Sequence, residues 1–248
     1  MLAIIGGTGL TKLSNLEITH RQVIRTPYGE PSGALTFGSV QGQAVVFIAR
    51  HGYGHTIPPH EVNYRANLWA LQAQGVKAII AVNSVGGIHA DLKPGVIVLP
   101  DQIIDYTYGR KHTFFEGNET PVTHIDFTHP YSESLRWRIM SAAKSVNESI
   151  IHTGVYAATQ GPRLETAAEI NRLERDGAAM VGMTGMPEAA LARELNLDYA
   201  ALAVVANHAA GRGDSRESVQ MEVIYKTLEQ GMHRVRHILD KLVAQNGR

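Results

Sequence analysis

Two polar residues in glycine-rich or apolar surroundings carry the clearest chemistry in this chain. Glu165 sits in Gly161-Pro162-Arg163-Leu164-Glu165-Thr166, and Asn207 ends the apolar run Tyr199–Ala206. Between them lies Gly182-Met183-Thr184-Gly185-Met186-Pro187-Glu188. A carboxylate accepts a hydrogen bond from a protonated ring nitrogen, whereas a carboxamide both donates and accepts. The pair therefore complements a 6-oxopurine edge such as that of hypoxanthine. Adenine presents a lone pair where the carboxylate needs a proton.

Anion chemistry clusters at the ends of apolar runs. Gly6-Gly7-Thr8-Gly9 directly follows Ala3–Ile5. Adjacent glycines let backbone N–H groups converge on an anion, and Thr8 adds a hydroxyl. The same tetrapeptide reads equally as a tight turn. The dinucleotide fingerprint lacks its third glycine, and no Gly-Lys-Ser/Thr follows to make a nucleotide-triphosphate loop. Arg50-His51-Gly52 follows the run Ala44–Ala49. Its guanidinium could grip an oxyanion, although a lone arginine there reads first as half of a salt bridge. Asn83-Ser84-Val85-Gly86-Gly87 follows Ala78–Val82 in the same way. Ligands collect at the carboxyl ends of strands in open α/β sheets, so the convergence of three such ends favours an anion site.

The elements that must position these residues alternate along the chain. Ala3–Ile5, Ala44–Ala49, Ala78–Val82, Val96–Leu99 and Tyr199–Ala206 have the length and branching of buried strands. Helical patterns fall at Val62–Gln74, Tyr131–Lys144, Thr166–Asp176, Pro187–Glu194 and Glu222–Ala244. The last is long and amphipathic. This order predicts an α/β fold, a mixed twisted sheet with helices on both faces, in one domain over 1–248. Gly109–Asp126 is polar, irregular and rich in histidine, as functional loops often are.

Bulk properties narrow the classes. The charges balance at 23 against 23, so no basic face invites nucleic acid. Cysteine is absent, which removes disulfides, thiolate catalysis and cysteine-based zinc sites. No apolar run approaches the ~20 residues of a membrane span, and the N-terminus lacks the basic stretch of a secretory signal. A cytoplasmic protein is expected. Twelve histidines include the group His51, His55 and His60, but no His-Glu-x-x-His motif occurs, and no metal is expected.

Seven motifs in order resemble the trimeric purine nucleoside phosphorylase and methylthioadenosine phosphorylase family over almost the whole chain. They are Gly-Gly-Thr-Gly at 6–9, Ala-Arg-His-Gly at 49–52, His-Thr-Ile-Pro-Pro at 55–59, Val-Asn-Tyr-Arg-Ala-Asn at 62–67, Asn-Ser-Val-Gly-Gly at 83–87, Gln-Gly-Pro-Arg-Leu-Glu-Thr at 160–166 and Gly-Met-Thr-Gly-Met-Pro-Glu at 182–188. The resemblance implies a nucleoside phosphorylase-like fold and a phosphate site of Thr8, Arg50, His51, Ser84 and Thr184. It implies that Met183 flanks the ribose and that Glu165 and Asn207 meet the base. In adenine-using members a serine matches Glu165, and aspartates match Asn207 and Ala209; this chain departs at all three. Leu164 stands where 6-oxopurine members usually carry phenylalanine, and His208, beside the base residues, is not the usual lysine or proline.

The sugar's 5′ end is a separate question. In members that take ordinary 6-oxopurine nucleosides, a histidine fourteen residues beyond the asparagine binds the 5′-hydroxyl; here that position is Met221, with Ile224 close by. An apolar wall suits a methylthio group and leaves a hydroxyl unpaired. The same residues also read as ordinary packing of the last helix. By resemblance, His124 would reach a neighbouring subunit's site and His55 would line the 5′ end. The expected reaction is phosphorolysis of S-methyl-5′-thioinosine, with phosphate as co-substrate, no metal or organic cofactor, and a homotrimer as the working form. The alternatives are an inosine/guanosine phosphorylase, a methylthioadenosine phosphorylase, and a nucleoside-binding module without turnover.

Overall fold

The computed structural model describes residues 1–117 and 120–245. Residues 118 and 119 of the irregular stretch, and the last three residues of the expected domain, lie outside it. Among the described residues eleven strands join one mixed sheet. They are β1 (Leu2–Gly6), β2 (Glu17–Gln22), β3 (Leu35–Val40), β4 (Gln43–Ala49), β5 (Ala78–Gly87), β6 (Ile97–Val98), β7 (Gln102–Asp105), β8 (Ile150–Ile151), β9 (Val155–Ala158), β10 (Met180–Gly182) and β11 (Asp198–His208). The helices are α1 (Tyr64–Ala73), α2 (Glu133–Ser145), α3 (Ala167–Arg175), α4 (Gly185–Glu194) and α5 (Met221–Gln245). None of them is long and apolar enough to cross a membrane.

The five apolar runs form the centre of the sheet. β1 lies parallel to β4 and β5, and β5 lies parallel to β11. Period-two alternation sends Ala3 and Ile5 to one face, where α1 and α4 pack, and Leu2 and Ile4 to the other, against α2 and α5. Both faces are therefore covered by helices, which is why these strands read as near-continuous apolar runs. A smaller cluster seats Ile170 and Leu173 of α3 on Ala157, Val181 and Ala209.

Local chemistry sets the helix ends. Asn63 caps α1 by accepting from the Ala66 N–H, and Ser132 caps α2. Thr166 and Glu169 form a reciprocal capping box that starts α3 directly after Glu165. The strand expected to end at Val82 continues to Gly87. Asn83–Gly87 is the second half of β5, paired with β11 throughout and with β10 at Gly86 and Gly87. The glycines serve close packing there: an added Cβ at Gly87 would lie 1.9 Å from the Leu92 carbonyl oxygen.

One buried ion pair joins several of these elements. Arg50, just past β4, donates from Nε and Nη2 to the two carboxylate oxygens of Glu188 in α4, each at 2.7 Å. Both side chains have 0% exposure. Tyr199 of β11 donates its hydroxyl to Glu188 at 2.8 Å, and Arg50 Nη1 donates to the Val82 carbonyl of β5 at 3.0 Å. Removing one partner strands the other charge. Glu188→Ala is expected to cost about 3–5 kcal/mol in urea unfolding, whereas Arg163→Ala, which breaks an exposed pair with Glu169, should cost far less because solvent screens that pair. Equal effects from the two substitutions would contradict this account of the core.

Candidate active site

The parallel strands β1, β4, β5 and β11 deliver their carboxyl-end residues to one cavity of about 530 Å³. It is lined by Thr8 after β1, Arg50 and His51 after β4, Ser84 in β5, and Asn207 and Ala209 at the end of β11. Met183 and Thr184 enter from the β10–α4 turn, and Glu165 from the loop before α3. A register shift between Val205 and Asn207 places two residues of β11 opposite one step of β5. Such a bulge re-aims the next side chain, and here it accompanies the presence of both Ala206 and Asn207 in the cavity wall.

The oxyanion candidates surround the buried ion pair. Because the Arg50 fork closes on Glu188, only its remaining N–H groups are free for another partner. An added Cβ at Gly7 would lie 2.5 Å from the Val82 carbonyl oxygen and 2.9 Å from Arg50 Nη1, so the loop passes the guanidinium only as glycine. Thr184 Oγ1 accepts from Asn83 Nδ2 at 2.8 Å, which leaves the threonine proton available to an anion. His51 Nδ1 lies 2.8 Å from the Ile57 carbonyl oxygen. A carbonyl only accepts, so Nδ1 carries a proton and Nε2 of the neutral ring is an acceptor. Burial, with the Arg50 charge, pushes His51 down to about 4.

The base candidates bond to close neighbours in the chain. Glu165 Oε1 accepts from the Thr159 hydroxyl at 2.7 Å, and burial pushes its carboxyl above the usual range. Asn207 Nδ2 donates to the adjacent His208 carbonyl at 2.6 Å. The remaining wall is apolar and comes from α5 and the segment before it: Val219, Met221, Ile224, Tyr225 and Leu228. Ile224 and Leu228 are buried, and Met221 is half exposed. His55 lines the cavity and pairs with Thr8, Nε2 to Oγ1, at 3.0 Å.

Two expected residues stand apart. His208 does not line the cavity: its ring packs on Gly213, where an added Cβ would lie 2.6 Å away, and its Nδ1 accepts from the Asp214 N–H at 3.3 Å. Alternation along β11 past the bulge turns it away from Asn207. His124 is exposed and lies outside this chain's own cavity. Sequence reasoning overlooked Leu228, Val219 and Thr159. It also assigned Glu188 no role, although its place beside Pro187 in the motif at 182–188 was the available signal.

The model of the phosphorylase superfamily matches residues 1–244. The chain belongs to that superfamily. This phosphorylase is 54% identical, over 98% of both chains, to a probable S-methyl-5′-thioinosine phosphorylase from Pseudomonas syringae pv. tomato. It is 44% identical to the 6-oxopurine nucleoside phosphorylase of Pyrococcus furiosus, over 92% of this chain and 88% of that one. Its fold superimposes on methylthioadenosine phosphorylase from Schistosoma mansoni, bound to adenine, with a TM-score of 0.94 at 33% identity, covering 99% of this chain and 91% of that one.

The two shifted groups set the pH behaviour. The raised Glu165 carboxyl protonates sooner than an ordinary glutamate as pH falls, and then offers a proton where an acceptor is needed. His51, held near 4, stays neutral from pH 5 upward. The kcat/KM profile for a 6-oxopurine nucleoside should therefore fall on the acid side, with a midpoint above that of ordinary glutamate. Glu165→Gln should remove that limb. A limb that persists in Glu165→Gln and disappears in a His51 variant would contradict the assignment.

Proposed function

We propose that the protein cleaves S-methyl-5′-thioinosine with inorganic phosphate, giving hypoxanthine and 5-methylthioribose 1-phosphate. The observation that carries this reading is a single cavity that combines a carboxylate and a carboxamide with an apolar, histidine-free α5 wall. Thr8, Arg50, Ser84 and Thr184 donate to the phosphate and His51 accepts through Nε2 from its P–OH, holding it for attack on the anomeric carbon. As the glycosidic bond breaks, the leaving purine gathers negative charge. Hydrogen bonds from Asn207 to N7 and O6 stabilise that charge, while Glu165 accepts from N1–H. Met183 flanks the sugar, whose oxocarbenium character is offset by the bound phosphate. Positioning of phosphate supplies much of the rate. No covalent intermediate, metal or organic cofactor is needed.

Selectivity has two independent sources. The base edge rejects adenine, because unpaired polar groups in a site built to bond an edge discriminate by about 10⁴-fold. The sugar end rejects a 5′-hydroxyl at Met221, Ile224 and Leu228, where an unpaired hydroxyl costs about 1–3 kcal/mol. A general inosine phosphorylase is the second reading, favoured by His55 in the cavity wall, whose ring could pair with that hydroxyl. A homotrimer with His124 extended toward a neighbour, a cytoplasmic location and one domain over 1–248 complete the proposal. The family match over 1–244 and the continuous sheet support the last point.

Initial rates with methylthioinosine, inosine and methylthioadenosine, with and without phosphate, test this reading. Cleavage should require phosphate. Methylthioinosine should exceed inosine by roughly 5- to 150-fold in kcat/KM, the 1–3 kcal/mol difference expressed as a rate. Faster cleavage of inosine would overturn the 5′ assignment, and comparable release of adenine would overturn the base assignment.

A further inference from the structure

We propose that Arg110 is a positioning residue that sets the geometry of the nucleoside half of the site. This rests on the function proposed above. Arg110 lies in the polar loop after β7, between exposed Gly109 and Lys111, yet is only 8% exposed itself. Its guanidinium donates to the carbonyls of Met183 at 2.8 Å, Met186 at 2.6 Å, Gln160 at 2.8 Å and Thr159 at 3.3 Å. It also donates to Gln160 Oε1 at 3.2 Å and to the Tyr64 hydroxyl at 3.3 Å, and sits over the Tyr64 ring at 5.6 Å. Five N–H groups meet six acceptors, so at least one donor is shared. None of these acceptors is a carboxylate.

Among the described residues no carboxylate pairs with Arg110, and a buried cation so placed is costly unless dipoles replace the lost water. Here four main-chain carbonyls do so, and they come from the two turns that carry the base and sugar residues. The Thr159 carbonyl accepts from Arg110, while the Thr159 hydroxyl donates to Glu165. The Met183 carbonyl accepts from Arg110, while Met183 itself lines the cavity. The turns touch one another as well: an added Cβ at Gly161 would lie 2.5 Å from the Met183 sulfur. Backbone at Met186 is extended (φ −120°, ψ 141°) inside α4, so its carbonyl is turned out of the helix and accepts from Arg110. Thr8, His51 and Ser84 receive no bond from Arg110, and Thr184 has its own anchor in Asn83. The clamp therefore governs the nucleoside side of the cavity. Lysine cannot replace it, because an ammonium offers three donors from one point rather than a planar fork.

Arg110→Met and Arg110→Lys, compared with the parent, test the assignment by two readouts. Amide hydrogen exchange in the resting proteins should lose protection over 159–165 and 183–186 in both variants while the central strands keep theirs. In steady-state assays with methylthioinosine and phosphate, kcat/KM for the nucleoside should fall about 10²-fold in Arg110→Met, the usual effect of a small misplacement of binding groups. The phosphate KM should stay near the parent value. Parent-like exchange and kinetics in Arg110→Lys, or an equal rise of both KM values in Arg110→Met, would overturn the proposal. If Arg110→Met does not fold, exchange in Arg110→Lys decides. If the parent itself shows no phosphate-dependent cleavage, the functional reading fails, and the exchange result still judges the clamp.

Discussion

The buried pair of Arg50 and Glu188 is the constraint on which the rest of this molecule depends. Two full charges at 0% exposure persist only when each is met by partners of matching geometry. The partners come from separate parts of the chain: β4 leads into the arginine, α4 carries the glutamate, β11 supplies the Tyr199 hydroxyl, and β5 supplies the Val82 carbonyl. Meeting these demands fixes how the strand ends and the α4 turn approach each other. The cavity opens at that junction. Gly7 passes close to a guanidinium that is already oriented, and Thr184 and Ser84 line the same cavity, so the proposed anion site would be a by-product of how the core neutralises its own charge.

The cavity thus combines two kinds of polar group. Those around the guanidinium are fixed in the resting protein: His51 is tied to Ile57, and Thr184 to Asn83. Those facing the base are held by neighbours they can exchange for a ligand: Glu165 by a threonine hydroxyl and Asn207 by the carbonyl of the next residue. The raised carboxyl of Glu165 reflects this state, since burial disfavours its charge more than the Thr159 hydroxyl and the Arg163 charge favour it. A ring N–H would supply the missing donor.

Much of this was legible in the sequence because burial leaves a strong pattern. The strands β1, β4, β5 and β11 carry apolar runs covered by helices on both faces and were readable for that reason. β2 was not legible: all six residues of Glu17–Gln22 are exposed, so no alternation marks them. β8 and β10 are two and three residues long, too short for any periodicity. Glu165 and Asn207 were singled out from residue type and order, and Met221 and Ile224 of the α5 wall from the family resemblance; the structure brings all four to one cavity. The partnership of Glu188 with Arg50 was not legible, since 138 positions separate them and either residue alone is an ordinary surface type. Arg110 was hidden for the same reason, in a polar loop whose composition points to solvent. The position of His208 turned on the bulge after Val205, a backbone irregularity with no residue signature in this chain.

The central claim is that one cavity reads a 6-oxopurine edge with Glu165 and Asn207 while its α5 wall takes a thioether. A crystal structure with hypoxanthine and 5-methylthioribose 1-phosphate tests it most directly. The account predicts Glu165 within hydrogen-bond distance of N1, Asn207 turned from the His208 carbonyl onto the base, and the methylthio sulfur against Ile224 and Leu228. A base with its N1 edge facing solvent, or a sulfur lying away from α5, would contradict it.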